Sequence, residues 1–498
     1  MKIGLLSPYP DLCSLGLRLL SSCLKREGYQ TRLVFLPDPA GDHVPHGEPR
    51  YSETILQDAL SLLKDVDLVG MTVMTPYFEG AAQIASHLRK TYDGPVLWGG
   101  IHPTIRPEES LEWADWVCIG EGEGALLEVA AKLREGAFPE KVLNIWRKDG
   151  GKIIKEPLRP LIEDLDSLPH PDYSMEDHYV AVEDRLVELT HDRMAEILGR
   201  ATVSHQLGRI GYQTMTSRGC PHKCTYCVND GIHRLYGAGK TLRFRSVDHV
   251  MEELLWVKEQ MPYVNFFWFS DDDFTARRMG DLEYFCERYR SEVGLPFSCL
   301  ISPLSTTQEK MALLVDAGLV YIQMGVESAS PRMQAIFNRK AMTNERILRA
   351  MHIVNQFRDR MASPTYDFLI DVPKQRDEDL VESLRFISRM PKPYRVQAFA
   401  LIPYPGTGMY DLALEEGMID DERRDIYNRT WPMHRKTYLN FLMILTRGGR
   451  MPGWLLRMLI ADPLVRFLGK ESLQPAVGRV YETMQRTLRR VKAVVGKR

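Results

Sequence analysis

The chain has 498 residues, 44% hydrophobic and 26% charged, with a formal net charge of −2. That length exceeds one ordinary core and predicts two or three domains, while the charge balance gives no reason to expect nucleic acid as a partner. Eight cysteines in so long a chain exclude a disulfide scaffold; Cys13, Cys23, Cys118, Cys286 and Cys299 are scattered singly, as in reduced cytoplasmic proteins. The apolar start is interrupted by Pro8, Pro10 and Asp11 with no small-residue cleavage site after it, so it predicts a strand, a loop and a helix rather than a signal sequence. No apolar run approaches the length of a membrane span, and the expected location is the cytoplasm.

In chain order, strands are predicted at 2–7, 30–36, 68–74, 95–98 and 116–119, with helices at 15–27, 52–64, 80–91 and 125–135. Short apolar strands alternating with amphipathic helices predict a doubly wound parallel α/β sheet over residues 1–137, which binds ligands where the loops leave the carboxyl ends of the strands. Those loops, at 11–16, 74–79, 99–102 and 120–123, are mostly glycine-bearing, which lets backbone approach a large ligand. Residues 138–209 carry less pattern: 157–172 is a Pro- and acid-rich connector, and 179–207 is a helical or irregular insertion with no assigned chemistry.

From residue 210 to 406 strands recur at 212–216, 265–270, 297–301, 320–326, 364–370 and 396–402, with helices between them. Functional groups of such repeats gather at the carboxyl ends of the strands. The first strand is followed by Cys220, Cys224 and Cys227, spaced C-x3-C-x2-C. Three soft thiolates on one loop suit an iron–sulfur cluster, and the missing fourth leaves one iron open to a small molecule. The alternatives are a zinc site, which wants a fourth ligand that His222 is too close to supply, and three inert thiols in a turn that does not look like core. Residues 407–498 are predicted mostly helical, and 447–498 hold 12 Lys and Arg against 3 Asp and Glu, a net of +9. Their mixture with apolar residues suits either an interfacial helix on anionic lipid or a packed helix with a solvated basic face.

The cysteine spacing, with Tyr226 before the last thiol, resembles the radical S-adenosylmethionine (SAM) superfamily. The resemblance implies a [4Fe–4S] cluster on Cys220, Cys224 and Cys227, a partial (β/α)6 barrel, and reductive cleavage of SAM to a 5′-deoxyadenosyl radical. It places Tyr226 beside the adenine and Gly325 and Glu327 near the methionine or ribose portion. Asp271, Asp272 and Asp273 offer carboxylates to the cationic groups of SAM, although an acid at a strand end also serves as a helix cap or solvated turn, and at least one of the three is expected to. Relatives often read G-x-P-G-E-T after the fifth strand; here Asp371-Val372-Pro373-Lys374-Gln375-Arg376 lacks the glycines and predicts a loop with less backbone freedom.

The first unit resembles the cobalamin (B12)-binding domain. That resemblance assigns cobalamin contacts to Asp11, Cys13, Gly16, Thr72, Thr75, Gly99, Gly100, His102, Gly120, Glu121, Gly122 and Glu123. The family's D-x-H-x-x-G motif reads Asp11-Leu12-Cys13-Ser14-Leu15-Gly16 here, so Cys13 stands where the cobalt-ligating histidine would be. Together the resemblances imply a cobalamin-dependent radical SAM methyltransferase that moves a methyl group from SAM, by way of methylcobalamin, to unactivated carbon or phosphorus. Rival readings are a cobalamin-dependent cyclase, ring-contraction or rearrangement enzyme, a B12-dependent sensor with a structural cluster, and a SAM enzyme that has lost cobalamin. The expected partners are a small-molecule substrate, lipid-like if the basic tail meets a membrane, and an electron donor such as flavodoxin or ferredoxin.

Overall fold

The computed structural model describes residues 1–9, 12–37, 48–237, 241–427, 435–473, 475–480 and 483. The first sheet has nine strands: β1 (Lys2–Ser7), β2 (Gln30–Phe35), β3 (Leu68–Thr72), β4 (Val96–Gly99), β5 (Trp116–Cys118), β6 (Ile145–Asp149), β7 (Lys152–Lys155), β8 (His178–Val182) and β9 (Arg185–Glu188). Their order is β7-β6-β5-β4-β3-β1-β2-β8-β9. The run from β5 to β8 pairs in parallel, and both edges are finished by antiparallel hairpins. Central β1 is buried on both faces, which is why it reads as a continuous apolar run rather than an alternating one. The chain leaves β1 for β2 on one side and returns to β3 on the other, so β1 and β3 form the topological switch point at which such sheets bind ligands.

The segment 138–209 departs from expectation. It supplies β6, β7, β8 and β9 to the first sheet, with α-helices at His191–Arg200 and Thr202–Leu207 and a single 3-10 turn at Leu165–Ser167. Its acid-rich connector is anchored by buried groups. Asp172 accepts from the Ser21 hydroxyl at 2.6 Å and pairs with Lys25 at 2.8 Å and with His178 at 3.3 Å. Arg18, fully buried, donates to the carbonyls of Leu12 and Asp172 and lies 3.9 Å from the centre of the Tyr173 ring.

The later strands are β10 (Gly211–Thr214), the short β11 (Ser217–Arg218) and β12 (Arg243–Phe244), then β13 (Phe266–Phe269), β14 (Phe297–Ile301), β15 (Leu319–Glu327), β16 (Thr365–Ile370) and β17 (Arg395–Ala400). The second sheet runs β10-β13-β14-β15-β16-β17, while β11 and β12 form a two-stranded antiparallel ribbon. The chain divides into two compact units: residues 1–272, 287–297 and 403–430, and residues 273–286, 298–402 and 431–498. In the first, β10 pairs with β13 in parallel; in the second, β15, β16 and β17 do likewise. The 407–498 region has described helices at Gly408–Glu415, Glu422–Asp425, Tyr438–Leu445, Gly453–Leu459 and Asp462–Leu468. No helix among the described residues is long and apolar enough to cross a membrane.

Candidate functional site

The cysteine loop follows β10 and β11 and leads into the helix Val228–Leu235. Its approach is fixed by Asp271, which is fully buried and accepts hydrogen bonds from the Thr216 backbone N–H at 3.1 Å, the Thr216 hydroxyl at 2.8 Å and the Ser217 hydroxyl. Gly219 then has φ +82°, and a Cβ there would come within 2.4 Å of the Thr241 carbonyl oxygen, so the turn into Cys220 requires glycine. Cys220 and Cys224 are buried and Cys227 is half-buried. The Cys227 N–H donates to the Cys224 carbonyl at 3.0 Å, and His233 is 3.1 Å from the Cys220 carbonyl oxygen.

Burial pushes the Cys220 thiol up to about 12 and the Cys227 thiol up to about 11, opposed by N–H groups of His222 and Asn229 that donate to the sulfurs. The Asn229 side-chain amide also lies 3.7 Å from Cys227 Sγ. A bound cation would reverse the cost of ionising these thiols, and hydrogen bonds to sulfur are the means by which proteins tune iron–sulfur clusters. Among the described residues no three Cys, His, Asp or Glu side chains converge as ligands of a single metal ion. The donor set, three buried or half-buried thiols on one loop with N–H groups aimed at sulfur, fits a multi-iron cluster in which thiolates bind separate irons.

The three aspartates separate into different tasks. Asp271 props the loop as described. Asp273 caps its own turn, accepting from the Thr275 N–H at 3.1 Å and hydroxyl at 2.8 Å and from the Ser305 hydroxyl at 2.7 Å. Asp272 is exposed, accepts from the Asn229 amide at 3.0 Å, and its charge reaches Cys220 and Cys227. It is the one of the three whose side chain is left beside the thiols. Tyr226 is half-buried within the loop. In the second unit, Gly325 and Glu327 flank a register shift in β15, and Glu327 takes φ +67°. The loop at 371–376 lacks glycine yet keeps left-handed backbone, at Asp371 (φ +56°) and Lys374 (φ +62°). The Arg435 N–H and the Asn440 amide hold the Asp371 carboxylate, each at 2.8 Å. The conformation expected to need glycine is therefore carried by residues the fold restrains.

A cavity of about 360 Å³ lies at the carboxyl ends of β1, β3, β4 and β5, within the first unit. Gly16, Thr72, Gly99, Gly100, Gly120, Glu121, Gly122 and Glu123 line it. Cys13, Thr75 and His102 do not border it, and Asp11 lies outside the described residues. His102 is instead a core residue: fully buried, 3.2 Å from the Thr75 hydroxyl, packed against Phe78 and Tyr427, and pulled down to about 3 by burial. A histidine in a glycine-rich loop looks like a ligand; the apolar residues that enclose it, Phe78 and Tyr427, lie far from it in sequence.

The cavity wall contains residues that motif reading passed over. Arg218 bonds Glu121 at 2.8 Å and Glu123 at 2.5 Å, and Arg243 bonds Glu121 at 2.9 Å. Burial works against the Glu121 charge, but Arg243 and Arg218 outweigh it and hold the carboxyl below its usual range. Arg218 stands two residues before Cys220, so this network joins the glycine loop after β5 to the cysteine loop. His249 also lines the cavity, and its Nδ1 accepts from Arg245 Nε at 3.0 Å. Since a guanidinium only donates, the neutral ring carries its hydrogen on Nε2 and Nδ1 is denied to a metal. Arg245 is held in turn by the buried Glu253 at 2.5 Å.

The cavity suits a large flat ligand with an amide periphery. Its walls are mostly leucine and glycine, and Glu123 Oε2 is buried there without a hydrogen-bond partner, an acceptor available to an N–H donor. A Cβ at Gly100 would meet the Val73 carbonyl oxygen at 2.8 Å, so the backbone itself forms this part of the cradle. These features fit cobalamin.

Comparison with known proteins gives two family matches: the B12 binding domain over residues 1–130 and the radical SAM superfamily over residues 214–387. Together they take in more than half of the chain. The chain is 28% identical to an uncharacterized methyltransferase of Pyrococcus horikoshii over 71% of each chain. It is 24% identical to the cytidylyl-2-hydroxyethylphosphonate methyltransferase of Streptomyces wedmorensis, over 84% of this chain and 80% of that protein. It is also 24% identical to the anaerobic magnesium-protoporphyrin IX monomethyl ester cyclase of Rubrivivax gelatinosus, over 74% of this chain and 60% of that one. The fold matches OxsB, a cobalamin-dependent SAM radical enzyme solved with aqua-cobalamin and SAM, with TM-score 0.70 at 17% identity over all of this chain and 81% of that one. It also matches the radical SAM methyltransferase TsrM of Kitasatospora setae, with TM-score 0.63 at 17% identity over 83% of this chain and 78% of that one.

Proposed function

This chain belongs to the radical SAM superfamily and carries a B12-binding domain ahead of its radical domain, and from that premise we propose that it is a cobalamin-dependent methyltransferase acting on unactivated carbon or phosphorus of a small molecule. The observation that carries the reading is the joining of the two candidate centres through one ion-pair network, Arg218 to Glu121 and Glu123, between the cysteine loop and the glycine cavity. When bound, the cluster with SAM supplies a hydrogen-abstracting radical and cobalamin supplies a transferable methyl group.

The chain's own residues bind, orient and exclude. Cys220, Cys224 and Cys227 would hold the cluster, and Asp271 fixes the loop that presents them. Asp272 sets a carboxylate beside the thiols, where it can accept from an ammonium group. Gly99, Gly100, Gly120 and Gly122 would bring backbone against the cobalamin, with Glu123 Oε2 accepting from its amide edge. Leucines of the helix Leu15–Arg26 and of residues 165–168 close the apolar part of the wall against water, as short-lived radicals require.

The named methyltransferase relatives support transfer of a methyl group, and the cyclase relatives keep ring closure without transfer as the competing reading. A flavodoxin- or ferredoxin-like donor would supply the electrons, and the basic tail would set the protein against anionic lipid if the substrate is lipid-like. The test is deoxyadenosine formation by the anaerobically reconstituted protein. Wild type is expected to cleave SAM and Cys224→Ala is not; equal cleavage by both would defeat the assignment.

A further inference from the structure

The helix that follows the cysteines is short and firmly seated. It spans Val228–Leu235 with Cys227 at its N-cap, so Asn229 stands in its first turn, where a short amide side chain can fold back toward the residue that opens the helix. A Cβ at Gly231 would come within 2.8 Å of the Gly406 carbonyl oxygen, so the helix lies directly on the turn at 403–407. The Met409 N–H donates to the Thr225 carbonyl at 2.9 Å, and Arg234 pairs with Asp230 and, at 3.5 Å, with Asp411. Packed backbone therefore presents Asn229 to the cysteine loop.

The Asn229 side chain bridges an anion and a thiol. Its Nδ2 is 3.0 Å from Asp272 Oδ2 and 3.7 Å from Cys227 Sγ. An ionised carboxylate only accepts, so the amide nitrogen rather than its oxygen must face Asp272, and the orientation is fixed. That nitrogen carries two hydrogens: one serves Asp272 and the other is directed to the sulfur. The Asn229 backbone N–H donates to the same sulfur. Besides burial, which is the larger cause, the Asp272 charge works against ionisation of both Cys220 and Cys227. The amide thus stands between that charge and Cys227 and offsets it.

We propose that Asn229 is a positioning residue that sets the reduction potential of the cluster on this loop, raising it by donating its side-chain N–H to the Cys227 thiolate while Asp272 holds the amide in place. This rests on the reading of the cysteine loop as an iron–sulfur site. Reduction adds one electron and no proton, so the negative charge shared by irons and thiolates grows. A donor aimed at a ligating sulfur stabilises that added charge more than it stabilises the oxidised form, and a nearby carboxylate does the reverse. Asn229 therefore decides how strong a reductant the protein requires, although it touches neither substrate nor the open iron.

The experiment titrates anaerobically reconstituted full-length wild type, Asn229→Leu and Asn229→Asp with dithionite and redox mediators, without SAM or substrate. The electron paramagnetic resonance signal of the reduced cluster is read at each potential and normalised to iron per chain. Leucine keeps the bulk and removes the side-chain donor. At the wild-type midpoint it should hold roughly one reduced cluster to ten oxidised, a fall of about 59 mV in midpoint. Aspartate keeps the shape but sets a second charge where the donor was, so its midpoint should lie lower still. A leucine midpoint equal to or above wild type overturns the proposal, and loss of iron at an unchanged midpoint does so too, since it makes Asn229 a structural residue only. An aspartate midpoint no lower than that of leucine also overturns it, because the cluster would then not feel this position. A wild type that takes up no iron overturns the cluster reading itself, and this assignment with it.

Discussion

Replacing Gly100 by alanine should damage the cofactor cradle by a route that can be followed atom by atom. Gly100 has φ +101° and ψ −170°, a conformation open essentially to glycine alone. An added Cβ would press on the Val73 carbonyl oxygen at 2.8 Å, the Val73 nitrogen at 3.0 Å and Thr72 Oγ1 at 3.1 Å. Those same Val73 groups hold the His102 N–H at 3.1 Å and the Gly99 carbonyl at 2.8 Å. Thr104 hangs from the Gly100 carbonyl by its hydroxyl at 2.8 Å and in turn accepts the Gly120 N–H at 3.0 Å. One methyl group therefore disturbs two of the glycine loops around the cavity. The backbone conformation costs about 1–3 kcal/mol and the overpacking about as much again, so Gly100→Ala should lose about 2–6 kcal/mol. Urea unfolding under anaerobic conditions measures the loss, and absorbance of retained corrinoid measures the cradle. Gly16→Ala is the control: its Cβ would meet nothing within 4 Å and it sits in a helix, so stability should hold or rise slightly. A Gly100→Ala protein within about 0.5 kcal/mol of wild type, with full corrinoid, would refute this account of the cradle.

Acid should destabilise the fold in two stages. His102 and His178 are held below their usual range by burial, so below about pH 6.5 the unfolded chain takes up protons that the folded chain refuses, and stability falls by up to about 1.4 kcal/mol per pH unit for each. Burial opposes the Asp172 charge, yet His178, Lys25 and Ser21 hold its carboxyl far below the usual range, so its contribution is complete above about pH 4 and is lost as pH falls further. His102→Gln should flatten the decline between pH 6 and 5, read from urea midpoints; an unchanged slope would contradict a neutral His102. Arg218→Met leaves Glu121 and Glu123 short of a partner at a site with a quarter of the arginine exposed, and should cost about 2–3 kcal/mol and lower both iron and corrinoid content. Trp454, Met458 and Phe467 are 60%, 61% and 55% exposed on two successive helices that also bear Arg457 and Arg466. Replacing all three by serine should cut sedimentation with anionic liposomes by at least about tenfold, and unchanged binding would remove the membrane reading.

The main sheets were legible because their strands are apolar runs punctuated by glycine and proline: 297–301 was predicted with its observed bounds, and the other strands of both repeats lie within about two residues. The edge hairpins were not, because Trp146 to Lys155 and Tyr179 to Glu188 carry charges on half-exposed faces and pair antiparallel, with no crossover helix to announce them. The cysteine loop was readable from spacing, since chemistry dictates it locally. That one of the three aspartates would cap a turn was readable too, and Asp273 does; the bracing by Asp271 and the Ser305 contact of Asp273 were not, because Thr216, Ser217 and Ser305 are brought to them by the fold. His102 illustrates the same limit from the other direction: a loop histidine becomes core when residues such as Phe78 and Tyr427 close over it. Arg218, Arg245 and His249 gave no local signal of a shared cavity wall, nor did Arg243 of its pairing with Glu121.

The measurement that bears most directly on the central claim is product analysis of the anaerobic holoenzyme with SAM and a reductant, with and without added cobalamin, quantifying S-adenosylhomocysteine and 5′-deoxyadenosine separately. The account predicts both products, with S-adenosylhomocysteine dependent on cobalamin. Deoxyadenosine alone, indifferent to cobalamin, would mean a radical enzyme that transfers no methyl group and would contradict it.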